Sequence, residues 1–134
     1  MLAGAFRRAE AAFERGDAEA LFASFGPEVD YAPPPPLNGP ARLRGRKAVV
    51  AFWLDVFSRW EHHSIATAAL DDEGAGVIRR RATIRHWGGA DRNALEYEVE
   101  QLTEIRDGRV ARQINLDPGG VQARRGRPVT PRGS

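Results

Sequence analysis

Apolar residues in the first half of the chain recur at the spacing of helices. Residues 3–15, AGAFRRAEAAFER, place apolar side chains on one face and charged ones opposite, which is typical of an amphipathic helix. Gly16 ends this segment, and Asp17 is a suitable N-cap for a second short helix, AEALFASF. Residues 46–60, RKAVVAFWLDVFSRW, are apolar on more than one face. A third helix buried on two sides is therefore predicted.

After the third helix the apolar pattern changes to a period of two, which is typical of strands. The four predicted strands span residues 62–72, 76–87, 95–105 and 109–117. Turns are expected at 72–74 and at Asp107-Gly108, a strong hairpin signal. Residues 29–32 are expected to form a further short strand, which ends at four consecutive prolines, residues 33–36.

Three helices followed by an antiparallel meander predict an α+β fold. Residues 1–120 are expected to form one domain, and residues 121–134 a basic tail without fixed structure. The chain has a net charge of +2, but four arginines beyond residue 117 leave the rest of the chain slightly acidic. This distribution argues against a nucleic-acid-binding surface. No apolar run is long enough for a membrane helix or a signal peptide, so a cytoplasmic protein without membrane contact is expected.

Three phrases follow one another along the chain: ERGDAEAL between the first two helices, LRGRKAVVAFW after the prolines, and EIRDGRVARQINLDP at the last hairpin. Their order and spacing resemble the SnoaL-like group of the nuclear transport factor 2-like superfamily over residues 3–120. The resemblance implies a cystatin-like, cone-shaped sheet covered by three N-terminal helices, with a pocket for small, mostly apolar molecules. That superfamily includes polyketide cyclases, ketosteroid isomerases, limonene-epoxide hydrolases and proteins without chemistry, so the fold alone does not settle the function.

The short strand VDYA carries the first polar candidates. Asp30 and Ala32 share one face, and Tyr31 lies on the other. Ala32 occupies the position at which the resemblance implies the aspartate base of ketosteroid isomerases, so Asp30 is the substitute on that face. Tyr31 matches half of the Tyr-x-Asn pair of the epoxide hydrolases.

The alternation of the later strands selects further candidates. Arg80 and His86 share a face with the apolar residues of 76–87, and Gln101 lies on the less charged face of 95–105. Gln101 would donate a hydrogen bond to a developing oxyanion, or it is a core amide bonded to a neighbour. Epoxide hydrolases of the resembling group carry Arg-x-Asp where this chain has Arg80-x-Ala82, which leaves a catalytic carboxylate missing.

Asp117, at the end of the last predicted strand, matches the aspartate that acts as acid or base in SnoaL-like cyclases. The spacing from Gly108 is one residue short, so a β-bulge would be needed to bring Asp117 to the pocket face. The alternative is an aspartate that caps the turn into Pro118. His62 and His63 are adjacent on a strand and point to opposite faces, so they are not expected to share a metal.

The expected function is acid–base chemistry on an apolar small molecule, such as cyclisation, isomerisation, dehydration or epoxide hydrolysis, without a metal or cofactor. The alternatives are a non-catalytic ligand-binding module and a dimer built through the outer sheet face. Such dimers are implied by the resemblance. The expected catalytic residues are Asp117, Asp30 and Arg80. The expected substrate-binding residues are Tyr31, Phe52, Trp53, Val56, Trp60, His86, Val99, Gln101 and Asn115.

Overall fold

The computed structural model describes residues 2–89, 94–118 and 127–128. The helices are α1 (Leu2–Arg15), α2 (Ala18–Leu21) and α3 (Arg46–Ser58), with a 3-10 turn at Pro35–Leu37. The strands are β1 (Phe25–Ala32), β2 (Leu43–Arg44), β3 (His62–Gly74), β4 (Val77–Trp87), β5 (Leu95–Arg106), β6 (Arg109–Leu116) and β7 (Arg127–Pro128). The described part of the predicted tail is β7, which pairs with β5.

Helix α1 begins and ends close to the predicted residues, and α2 begins where it was predicted. Gly16 follows α1 with a φ of +69°, a conformation that glycine adopts at little cost. Asp17 caps α2, because its side chain accepts a hydrogen bond from the Ala20 amide at 3.1 Å. The prediction that this helix continues to Phe25 is wrong. Phe25 starts β1 and pairs with Val110 of β6, so strand pairing replaces helical hydrogen bonds there.

The four strands of the meander are confirmed, and one of the two predicted turns is displaced. Asp107 and Gly108 have φ values of +52° and +77°, as the two central residues of a tight hairpin require. The first hairpin turns at Ala75 and Gly76 rather than at 72–74. β3 is longer than its alternation suggested because backbone pairing with β4 continues to Gly74.

The sheet has the strand order β2-β1-β6-β5-β4-β3, with β7 added beside β5. The predicted meander is antiparallel, and the sheet as a whole is mixed because β1 runs parallel to β6. The long connection through α3 and the meander permits this arrangement, which a short hairpin loop would not. Register shifts between neighbouring strands mark β-bulges, which bend and twist a sheet.

α3 is buried on two sides, as predicted. Val49, Trp53 and Val56 are buried in the main core. Phe52 faces the proline-rich loop, where a Cβ on Gly39 would overlap its ring. The loop therefore covers a second side of the helix, and the side that carries Ala51, Leu54 and Asp55 is exposed.

The outer face of the sheet carries pairs of opposite charges between β4 and β5. Arg81 lies opposite Glu100 and Arg85 opposite Glu96 in the β4–β5 register, and Arg79 Nη1 contacts Glu100 Oε2 at 2.8 Å. Arg79, Arg81 and Arg85 therefore lie on the outer face, whereas Arg80 points to the inner face. Within the described residues, none of the helices combines the length and apolarity that crossing a membrane would require.

Candidate functional site

A cavity of about 170 Å³ lies between helix α1 and the inner face of the sheet. Helix α1 contributes Phe6, Ala9 and Phe13 to its wall, and α3 contributes Trp53. The rings of Phe13 and Trp53 meet edge to face, with centroids 5.5 Å apart. Such aromatic contacts hold the apolar wall in a defined shape.

Opposite this apolar wall, a ladder of polar side chains crosses three adjacent strands. Arg80 on β4 is paired in register with Gln101 on β5, which is paired in turn with Asn115 on β6. Arg80 Nη1 donates to Gln101 Oε1 at 3.4 Å, and Gln101 Nε2 donates to Asn115 Oδ1 at 3.0 Å. Asn115 Nδ2 donates to the carbonyl oxygen of Ala32 at 2.9 Å. All three side chains are buried and line the cavity.

A carboxylate from helix α1 balances the charge at the arginine end of the ladder. Arg80 Nη2 lies 3.2 Å from Glu10 Oε2, and Arg80 Nε donates to Thr67 Oγ1 at 2.9 Å. Thr67 donates its hydroxyl proton to Glu10 Oε2 at 2.6 Å. The guanidinium carbon also lies 4.7 Å from the centre of the Phe6 ring, a cation–π distance. Burial lowers the pKa of Arg80 and Glu10 opposes that change, so the buried guanidinium keeps its charge.

Tyr31 stands at the other end of the ladder, beside Ala32. Its hydroxyl oxygen accepts a hydrogen bond from Trp53 Nε1 at 2.8 Å. Burial raises the pKa of Tyr31 above its ordinary value, although hydrogen bonds from Trp53 and Asn115 oppose the rise. The phenol therefore remains protonated and neutral within the cavity wall.

Five of the predicted residues line the cavity: Tyr31, Trp53, Arg80, Gln101 and Asn115. Gln101 is bonded to neighbouring side chains, as its alternative of a core amide requires. It also lines the cavity, and its role as an oxyanion donor stays a prediction. The strand alternation that selected Arg80 and Gln101 is confirmed by their burial.

The placement of Asp30 beside these residues is wrong. In β1 the buried positions are Val29 and Tyr31, so Asp30 points to the other face. There its carboxylate lies 3.5 Å from Arg42 and 3.7 Å from Arg112. The sequence alone did not determine which side chains of this short strand point inward. The burial of Tyr31 shows that its side chain does.

Asp117 follows the end of β6 and is not among the residues that line the cavity. The bulge that its predicted role needed is present. Glu104 pairs with Arg112 but Ile105 pairs with Val110, which leaves Ala111 as the extra residue. Because of this bulge, Asn115 faces inward, and Asp117 has the same parity. The strand nevertheless ends at Leu116, and Asp117 is half-exposed.

The other predicted binding residues surround the cavity wall without lining it. Val56 and Val99 are fully buried in the core, and Phe52 and Trp60 pack against that core from its edge. His86 is likewise fully buried. These residues lie in or against the core rather than on the cavity wall, because residues on an inward face fill the core wherever a helix packs directly on the sheet.

His86 belongs to a separate buried cluster next to the core. Its Nδ1 lies 3.0 Å from His63 Nδ1, and its Nε2 lies 2.9 Å from the Tyr97 hydroxyl. The Trp60 ring stacks on it at 4.9 Å. Burial, with the neighbouring His63, lowers the pKa of His86 to about 3. Burial and His62 lower the pKa of His63 to about 4. Both imidazoles are therefore neutral at neutral pH.

The sequence-based predictions missed Glu10, Thr67 and the contribution of α1 to the wall. Phe6 and Phe13 carried a signal, because their spacing marks the buried face of an amphipathic helix. Glu10 carried none, since its partner Arg80 is 70 residues away. Among the described residues, no cluster of three or more histidine or carboxylate side chains is arranged to hold a metal ion.

Comparison with known proteins supports the fold assignment. The family model described as a SnoaL-like domain matches residues 6–113. Among curated proteins, none matches the sequence significantly. An NTF2-like protein of unknown function from Burkholderia pseudomallei superposes with a TM-score of 0.70 at 18% identity, covering 86% of this chain and 88% of that one.

Two further similar structures have names that suggest an activity. An LEH-like epoxide hydrolase from M. tuberculosis has a TM-score of 0.65 at 18% identity, with 84% of this chain and 78% of that one covered. IdmH, a candidate polyketide cyclase from Streptomyces antibioticus, has a TM-score of 0.68 at 16% identity, with 87% and 91% covered. Such low identities establish a common fold rather than a common reaction. Because the family model spans most of the chain and the architecture agrees, this protein belongs to the SnoaL-like domain family.

Proposed function

We propose that this protein binds a small, mostly apolar molecule in the cavity between α1 and the sheet. The observation that carries the proposal is the polar ladder of Arg80, Gln101 and Asn115 within an otherwise mainly apolar wall. A few convergent polar groups in an apolar cavity are the usual composition of a small-molecule site. Buried arginine is costly to maintain, and a core position without a ligand role would be filled more favourably by an apolar side chain.

The size of the cavity limits the molecule that it accepts as it stands. Its volume of about 170 Å³ is close to the roughly 150 Å³ of an apolar cavity that holds a benzene molecule. It is smaller than the ~300–1,000 Å³ of sites for drug-sized ligands. A compound with one ring and a few substituents fits this description, whereas a four-ring steroid would require α1 to move outward.

The family supports a small-molecule role. The similar structures include proteins named as an epoxide hydrolase and a candidate polyketide cyclase, and both names denote reactions of small organic compounds. The present chain shares their fold over more than four-fifths of its length.

Binding is better supported than acid–base turnover. Among the described residues, the side chains that line the cavity include no carboxylate and no imidazole. Arg80 and Tyr31 can polarise an oxygen, but removing a proton from carbon requires a base. A cofactor-free acid–base enzyme remains the second candidate because the bulge at Ala111 gives Asp117 the inward parity of Asn115. Such an enzyme would need Asp117 to reach the ligand beyond the strand end.

A pair of matched substitutions on α1 tests the proposal. Ala9 lines the cavity, whereas Ala11 is exposed on the same helix. We expect single-ring ketones, lactones and epoxides to raise the Tm of the wild type, since a ligand at 100 times its Kd adds about 2.7 kcal/mol. Ala9→Phe should abolish this stabilisation by filling the cavity, and Ala11→Phe should preserve it. Stabilisation that survives Ala9→Phe would place the ligand elsewhere.

A further inference from the structure

The two ends of the ladder determine the orientation of the amides between them. The Ala32 carbonyl can only accept a hydrogen bond, and the Arg80 guanidinium can only donate. Asn115 must therefore turn Nδ2 toward Ala32 and Oδ1 toward Gln101. Gln101 must in turn present Nε2 to Asn115 and Oε1 to Arg80. The amide dipoles point the same way, an arrangement in which each hydrogen bond strengthens the next.

Tyr31 lies in the same cavity wall as the ladder. Indole nitrogen is only a donor, so the contact of 2.8 Å from Trp53 Nε1 occupies a lone pair of the Tyr31 oxygen. With Trp53 as the donor to its oxygen, Tyr31 has its own proton left to give, and among the described residues its hydroxyl donates to no protein acceptor. Because Tyr31 lines the cavity, that proton is available to a ligand.

We infer that Tyr31, held by the hydrogen bond from Trp53, recognises a ligand oxygen that only accepts hydrogen bonds, as in a ketone, lactone or quinone. This inference rests on the proposed function, because it assumes that the cavity is the ligand site. An alcohol would bring a second proton to a place where donors already converge. An amine would bring a positive charge toward buried Arg80, which repels it. The preference is thus for carbonyl compounds over alcohols and amines built on the same ring.

Three probes that share one ring separate these chemistries. Cyclohexanone, cyclohexanol and cyclohexylamine differ only in the polar group. We expect NMR titration of the full chain to show cyclohexanone binding at least tenfold more tightly than cyclohexanol. No saturable shifts are expected with cyclohexylamine. The infrared carbonyl band of the bound ketone should move to lower frequency than in hexane, because hydrogen-bond donors weaken the C=O bond.

A matched pair of variants assigns the preference to Tyr31. Tyr31→Phe removes only the phenolic hydroxyl and should lower the ketone affinity to that of the alcohol. Tyr97→Phe removes a buried hydroxyl that bonds His86 and does not line the cavity, so the ketone preference should be retained. If Tyr31→Phe does not fold, the infrared shift in the wild type still reports the donor.

The outcomes distinguish the inference from the function on which it rests. Binding of all three probes with equal affinity, or an unshifted carbonyl band, would overturn the inference and leave a ligand-binding cavity. Ketone preference that persists in Tyr31→Phe would also overturn it. If no single-ring compound binds to the wild type, and Ala9→Phe gives the same result, the proposed function and the inference are overturned together.

Discussion

Glu10 on α1 and Arg80 on β4 are 70 residues apart in the chain, and their side chains form an ion pair of 3.2 Å beneath the cavity wall. Arg80 is 5% exposed, so its charge has little contact with water. Thr67 donates to the same carboxylate oxygen and fixes its position. The pair joins the first helix to the sheet and sets the charge at one end of the polar ladder.

Removal of this carboxylate charge should destabilise the fold. Glu10→Gln keeps the shape of the side chain but leaves the buried Arg80 charge uncompensated, and we expect a loss of about 1–3 kcal/mol in the free energy of unfolding. Urea denaturation measures it. Glu14→Gln, at an exposed position of the same helix, should change stability by less than about 0.5 kcal/mol. Equal effects of both substitutions would contradict the role assigned to Glu10.

The buried imidazoles should make the folded chain less stable as the pH falls. The pKa of His86 in the folded chain is about 3, below the ~6.5 of an unfolded chain. The unfolded state therefore binds the proton first, and the contribution of neutral His86 is complete above about pH 6.5. It is lost as the pH falls from there toward 3, by about 2 kcal/mol at pH 5.

Comparison of unfolding free energies at pH 7.5 and pH 5 checks this dependence. His86→Gln should show a smaller loss between the two values than the wild type. His62→Gln removes an exposed imidazole that acts only through its charge on His63, so it should change the loss less than His86→Gln does. If the wild type and His86→Gln lose the same unfolding free energy between pH 7.5 and pH 5, other groups cause the pH dependence.

Asp30 should be unimportant for both stability and binding. Its ion pairs with Arg42 and Arg112 lie on the outer side of β1, where such pairs contribute about 0–1 kcal/mol. Asp30→Asn should therefore retain ligand-induced stabilisation in thermal denaturation. Gln101→Leu, on the inner face, should lose it, because Arg80 and Asn115 lose a partner. Loss of ligand binding in Asp30→Asn would show that Asp30 belongs to the ligand site.

Asp117 separates the two candidate functions. Asp117→Asn should leave ligand binding unchanged, since this residue does not line the cavity. If a bound compound is also converted, a turnover rate that falls by about a hundredfold or more would identify Asp117 as the acid or base. Asp107→Asn, at an exposed turn, is the control for the loss of one carboxylate. Conversion at the wild-type rate in Asp117→Asn would rule out that role.

A homodimer through the outer sheet face remains a prediction. Arg81 is exposed at the centre of β4 on that face. Sedimentation equilibrium should give a dimer mass for the wild type, and Arg81→Glu should weaken association at least tenfold by placing like charges near Glu100. Arg7→Glu, on the exposed side of α1, should not weaken association. A wild-type monomer at all concentrations would end this hypothesis.

Short-range patterns in the sequence were sufficient for the elements and for most side-chain directions. The helical spacing in α1 and α3 and the alternation in β4 and β5 follow from backbone geometry within a few residues. This alternation alone predicts that Arg80 and Gln101 lie on the inner face, without knowledge of their contacts. The same patterns were ambiguous in the short strand β1, where one step of register exchanges Asp30 for Tyr31.

The sequence by itself therefore determined the order of elements, the inward polar residues of the meander and the hairpin at Asp107-Gly108. Only the tertiary structure decided which inward residues meet a cavity and which are enclosed in the core, as Arg80 and His86 show. It also decided that Glu10 balances Arg80 and that the bulge at Ala111 turns Asn115 inward. The physical reason is that periodicity is set by neighbours along the chain, whereas cavities, ion pairs and bulges depend on how distant segments pack.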